Sequence, residues 1–137
     1  MSFELLEHPA DIGFRVRAGS LSELFAECAR ALLFIILDPS NIELKESMPL
    51  SAEGSDYESL LVNWLNEVLY YIDSQRLALN VFEISYLHPT RIECIGRGER
   101  RDRLKHPAKL VVKAVTYHQL RITHTAEIWS ADVYVDV

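Results

Sequence analysis

Between positions 55 and 75 the chain reads SDYESLLVNWLNEVLYYIDSQ. Tyr57, Leu60, Leu61, Trp64, Leu65, Val68 and Ile72 recur there at the three- and four-residue spacing of a single helix face. An apolar stripe this wide has to be buried against another element, so the rest of the chain must supply a surface for it. Ser55 and Glu58 have capping-box spacing and mark the expected start of the helix. A second helix is expected over SLSELFAECARALLFII, where Ser20 and Glu23 repeat that spacing and Leu21, Leu24, Phe25, Cys28, Leu32 and Ile35 form the stripe. LDPSN ends it, because Pro39 cannot continue a helix and Asp38 favours a turn.

The surface for both stripes is expected from strands. In IGFRVRAG, Ile12, Phe14 and Val16 alternate with Gly13, Arg15 and Arg17. In the terminal ADVYVDV, Ala131, Val133, Val135 and Val137 alternate with Asp132, Tyr134 and Asp136. FELLEH, the polar NIELKESMPLSAEG, VFEISYL, TRIECIGRG and KLVVKAVTYHQLRIT read as further strands. Strands, helix, strand, helix and a run of strands predict an α+β fold over residues 1–137: one two-layer domain, an antiparallel or mixed sheet with both helices on one face. A chain of 137 residues can bury such a core without disulfides or a structural metal.

Composition narrows the function classes. A net charge of −6 opposes non-specific binding to nucleic acid, whose strength follows the number of phosphates neutralised. Cys28 and Cys94 lie within apolar periodic segments, the pattern of buried reduced thiols and of a reducing compartment. The N-terminus lacks the basic start and apolar run of a signal peptide, and ALLFIIL is too short to cross a bilayer, so a cytoplasmic protein is expected. Walker A, dinucleotide, nucleophile-elbow, paired-cysteine and HExxH signatures are missing from the sequence. An enzyme therefore starts from a low prior.

A few polar residues stand out. Asp11, between Pro9 and Gly13 in HPADIG, offers a carboxylate beside backbone carbonyls at a bend, which suits calcium or magnesium; on the residues alone an Asx-turn is the favoured reading. Asp136 is a solvated strand end by default. The two carboxylates meet only if the first and last strands are neighbours, and then, with the terminal carboxylate of Val137, they repel one another without a cation. Lys113 sits between valines, on one strand face with Val111, Val115 and Tyr117, where a snorkelling side chain at a sheet edge is the plain alternative. Tyr117 and His118 suit packing, and Asn66 and Glu67 fall off the helix stripe. The basic stretch 97–109 gathers Arg97, Arg100, Arg101, Arg103, Lys105 and Lys109 against Glu99 and Asp102, a solvated loop or a contact for RNA phosphates or an acidic partner.

EHPADIG, LLVNWLNEVLY, VKAVTYH and the terminal VYVDV, taken in order and at their spacing, resemble the archease family, the small accessory proteins of the RtcB-type tRNA-splicing RNA ligase. The resemblance runs from end to end. It implies an α+β fold and a non-catalytic protein that helps the ligase become guanylylated and turn over repeatedly. It implies a divalent cation, calcium, held by Asp11, Asp136 and Val137, with Asp38 a weaker candidate. It implies that Lys113, with Asp11, Tyr117 and His118, acts on the partner. Pro9 stands where the family usually has threonine, which removes a hydroxyl and a backbone donor beside Asp11. Two other classes stand beside this reading: a metal-dependent hydrolase using Asp11 with His8 or His118, and a chaperone or specificity factor for another tRNA-processing protein, such as an RNA methyltransferase, that meets it or tRNA through 97–109. Oligomeric state is left open.

Overall fold

The computed structural model describes residues 2–8 and 11–137. The order is β1 (Ser2–His8), β2 (Asp11–Ala18), α1 (Leu21–Ile36), β3 (Glu46–Glu53), α2 (Tyr57–Asp73), β4 (Leu77–His88), β5 (Arg91–Arg100), β6 (Ala114–Thr125) and β7 (Ile128–Asp136). The fold is α+β, as expected, and all strand pairs are antiparallel. The strands form two sheets rather than one, ordered β1-β2-β7-β6 and β3-β5-β4. Each sheet closes its own hairpins, and the connection from β5 to β6 crosses between them as a segment without strand structure. No helix is long and apolar enough to cross a membrane among the described residues.

Both helices start on side-chain caps. Ser20 Oγ accepts from Glu23 N–H at 3.1 Å. On α2 the cap is Asp56, one residue later than expected: its Oδ1 accepts from Ser59 N–H at 2.8 Å, while Ser59 Oγ accepts from Asp56 N–H at 3.2 Å. A carboxylate at the positive end of a helix is favoured over a hydroxyl. Glu58 is thereby released from capping, and its Oε2 accepts from Ile122 N–H on β6 at 3.1 Å.

The apolar faces of α1 and α2 meet the inner faces of both sheets. Trp64 is fully buried, meets Phe82 edge-on at 6.1 Å, and donates Nε1–H to Phe25 O of α1 at 3.0 Å. Cys28 and Cys94 are buried free thiols. Burial pushes both up, Cys94 to about 12, so neither is a reactive thiolate.

A polar network anchors the segment between β5 and β6. Glu99, 6% exposed, accepts from Glu43 N–H at 2.9 Å and Lys105 Nζ at 2.9 Å. His106 is buried; its Nδ1 accepts from Asp102 N–H at 3.0 Å, so Nε2 carries the proton shared with Glu99 at 2.9 Å. Lys105, and then the Glu43 amide, hold the Glu99 carboxyl down to about 2. A folded value below the unfolded one gives stability that is present above about pH 4.5 and lost as pH falls towards 2. The melting temperature of Glu99→Gln is accordingly expected to fall below that of the wild type at neutral pH. The gap should close through that acidic range, and a gap independent of pH would contradict this role for Glu99.

The same network redistributes the basic stretch. Arg97 and Arg100 belong to β5, and Arg97 pairs with Glu83. Lys105 is held by Glu43 and Glu99, and Lys109 lies 3.6 Å from the Phe34 ring centre. The solvated loop expected over 97–109 is therefore part strand and part internally tied.

Candidate functional site

The site is built from the last strand outward. On β7, Ala131, Val133 and Val135 are fully buried, which fixes Asp132, Tyr134 and Asp136 on the outer face. Asp132 takes both Nε and Nη2 of Arg15, at 2.6 and 2.9 Å. Tyr134, 9% exposed, lies across Gly13, where an added Cβ would come within 2.6 Å of its ring; that position tolerates only glycine unless the ring moves. Asp136 closes the row and is exposed.

Strand order brings the chain ends together differently from the expectation. β7 is the neighbour of β2, the second strand, and not of β1. Ile12 pairs with Val135, so Asp11 and Asp136 are the next residues on adjacent strands. On the other side of β7, Ala114 pairs with Asp136, and Lys113 N–H donates to Asp136 O at 2.7 Å. The backbone thus places Asp11, Lys113, Asp136 and Val137 at one end of three adjacent strands. The Asp11 carboxylate and the His8 ring lie outside the described residues.

Lys113 precedes β6 rather than sitting within it. Val112 and Val115 are buried, each 4% exposed, whereas Val111 is 72% exposed, so the expected face of Val111, Lys113, Val115 and Tyr117 does not exist. The cause is local: Val112 enters the core from the irregular segment before β6, and Val115 enters it from the strand, so the buried positions are three residues apart and the two-residue alternation fails. Further on, Thr116 pairs with Tyr134 but Arg121 with Asp132, so Tyr117, His118, Gln119 and Leu120 stand opposite Val133 alone. This bulge is accommodated by a positive φ of 53° at Gln119. Tyr117 is 59% exposed on it, and the His118 ring meets the Tyr134 ring edge-on at 6.1 Å.

A residue that sequence reasoning assigned no role fixes the start of β6. Asn66 of α2 donates Nδ2–H to Val115 O at 3.0 Å and accepts from Val115 N–H at 2.9 Å. β6 is an edge strand, and Asn66 and Glu58 supply partners that a neighbouring strand would otherwise give. Two residues from Lys113, this pair of hydrogen bonds fixes the strand start that the lysine precedes. The only hint in the sequence is an amide at the margin of the α2 stripe.

The donors at this end suit a hard cation. Asp136 is exposed and Val137 is 42% exposed, so the Asp136 carboxylate and the Val137 backbone oxygen are both open to a ligand, and no hydrogen bond or ion pair from the described residues reaches the Asp136 carboxylate. Calcium takes six to eight oxygens. The described residues contain no group of three or more histidine, cysteine or acidic side chains arranged to hold a metal ion, so completing a shell would need Asp11, water or a partner's oxygens. Asp38 is occupied differently. Its Oδ1 accepts from Ser40 N–H at 2.9 Å, closing an Asx turn, and this bond, with the Lys109 charge, holds its carboxyl below the usual range.

Comparison with known proteins bears on this arrangement. The model of the archease protein family matches residues 3–137. Protein archease of Methanopyrus kandleri is 34% identical over 140 residues, covering 100% of both chains. That of Pyrococcus abyssi is 36% identical over 139 residues, covering 98% of each. The solution structure of Methanobacterium thermoautotrophicum protein 1598 is similar, with a TM-score of 0.83, 27% identity and 98% coverage of both chains. A crystal structure from Thermotoga maritima, described as an archease, possible chaperone, shares the fold at 23% identity and a TM-score of 0.66, over 96% of this chain and 94% of that one.

Proposed function

The chain belongs to the archease family, and on that premise we propose that it is a non-catalytic, cytoplasmic activator of an RtcB-type RNA ligase, promoting guanylylation of the ligase and repeated turnover in tRNA splicing. The observation that supports this reading most is the convergence of Lys113, Asp136, Val137 and the Asp11 backbone on one sheet end. A rim of exposed charge there, standing on buried Val115, Val133 and Val135, is rigid enough to present a fixed pattern to a partner.

Asp11, Asp136 and Val137 would hold calcium, which neutralises carboxylates that otherwise repel one another and gives the end a defined shape. Lys113 would bring an ammonium to this end; its backbone N–H is bonded to Asp136 O, and the neighbouring Val115 is held by Asn66. Tyr117 and His118, on the adjacent bulge, extend the contact surface. Activation follows if this end binds the nucleotide-competent ligase more tightly than the resting one, and only differential affinity can shift that balance. A hundredfold preference corresponds to about 2.7 kcal/mol.

The test is ligation with the activator at well below the ligase concentration. Wild type is expected to support many turnovers per ligase, and Lys113→Ala to reduce them by at least about tenfold, a loss of roughly 1.4 kcal/mol, with an unchanged melting temperature. Equal stimulation by both proteins would remove Lys113 from the site.

A further inference from the structure

A cleft of about 400 Å³ lies away from this sheet end, between the C-terminal turns of the two helices and residues 101–112. Its volume falls in the range of small-molecule sites. Leu69, Leu110 and Val112 contribute to an aliphatic wall, and Arg76, Arg101 and Arg103 line it as well. Two acids, Asp73 and Asp102, share the lining. Asp102 Oδ1 is engaged by the amides of Leu104 and Lys105, at 2.8 and 3.1 Å. Arg101 donates to Ile72 O at 3.1 Å, and burial and then the Arg76 charge lower its pKa. The terminal carbonyl of α1, Ile36 O, accepts from the amides of Lys109 and Leu110. Neither Arg76 nor Arg103 is needed to satisfy these groups.

Arg76 has a further peculiarity. Its φ is +58°, a left-handed backbone two residues past Ser74, the C-cap of α2, and a conformation that favours glycine. An arginine is disfavoured by that backbone relative to glycine, so the side chain at the cleft comes at a conformational cost.

We propose that this cleft binds a phosphate monoester carrying a flat, largely apolar organic group, the chemistry shared by a free nucleoside monophosphate and the phosphorylated end of an RNA. Arg76 and Arg103, with Arg101 behind them, offer guanidinium forks to the three phosphate oxygens. Leu69, Leu110 and Val112 take the face of the base, and the Asp73 carboxylate accepts from a ribose hydroxyl or an exocyclic amine. A long polyanion is disfavoured by the overall charge of −6, which a single phosphate tolerates. The site is independent of the acidic sheet end.

The test is calorimetric titration of the full chain with AMP, adenosine, a 5′-phosphorylated hexa-adenylate and its unphosphorylated form. At least one phosphorylated probe is expected to bind with a Kd at or below about 1 mM, and its unphosphorylated counterpart at least about tenfold more weakly. Binding of AMP identifies a free nucleotide as the ligand; binding of the hexamer alone identifies an RNA end. Arg76→Gly, which relieves the backbone, should melt no lower than wild type yet lose affinity about tenfold or more, and Arg103→Gln should lose it similarly. Binding that ignores the phosphate, survives both substitutions, or is missing for both phosphorylated probes at about 5 mM overturns the proposal.

Discussion

A chain that ends at Val135 is expected to fold normally and to fail completely as a ligase activator. Removing Asp136 and Val137 deletes the backbone hydrogen bond from Lys113 N–H to Asp136 O, worth about 1 kcal/mol, together with the end pair of Asp136 with Ala114. The pairs of Val135 with Ile12 and with Val115 remain, and so does the buried row of Ala131, Val133 and Val135. For a domain of this size the melting temperature should fall by only about 3–5 °C. Function should suffer far more, because two of the three proposed calcium ligands leave together. At the proposed site, calcium at about a hundredfold its Kd would stabilise the wild-type fold by about 2.7 kcal/mol. Melting curves with and without calcium should therefore separate for wild type and coincide for the truncated chain. A truncated protein that still responds to calcium and still stimulates ligation would show that the terminus is only a strand end.

Trp64→Ala should have the largest effect on stability. The indole is fully buried between α1 and Phe82, and its removal forfeits about 3–5 kcal/mol of transfer and cavity energy. That is a large share of a total of about 5–15 kcal/mol, and it corresponds to a fall in melting temperature of roughly 10–20 °C. Trp64→Phe keeps most of the volume and loses the bond to Phe25 O, so it should fall by a fraction of that amount. Denaturant midpoints for the three proteins check this order, and a loss below about 1 kcal/mol for the alanine variant would contradict the packing described.

What was legible in the sequence and what was not divides along a physical line. The α1 and α2 stripes depend on spacing within one helix, and both helices lie where the spacing puts them. The α2 cap was misplaced by one residue because Ser55 and Asp56 are both good caps and only the pairing with Ser59 separates them. Glu58 and Asn66 were opaque for another reason: their partners, Ile122 and Val115, are 64 and 49 residues away on an edge strand. The bulge at 117–120 carries no glycine or proline to announce it, and Gln119 takes the positive φ instead. The loss of a shared face for Lys113 and Val115 has a separate cause, since Lys113 lies before the start of β6 and only Val115 is buried. The meeting of Asp11 and Asp136 could be stated from sequence only as a condition on strand order, and β2 rather than β1 fulfils that condition.

The measurement closest to the proposed role of the sheet end is single-turnover guanylylation of the ligase, followed with labelled nucleotide, in the presence of wild type, Asp11→Ala or Lys113→Ala. Wild type is expected to accelerate the step, and each variant to return the rate at least about tenfold towards that of the ligase alone while keeping the wild-type fold. Equal acceleration by all three proteins would contradict the assignment of this sheet end as the activating site.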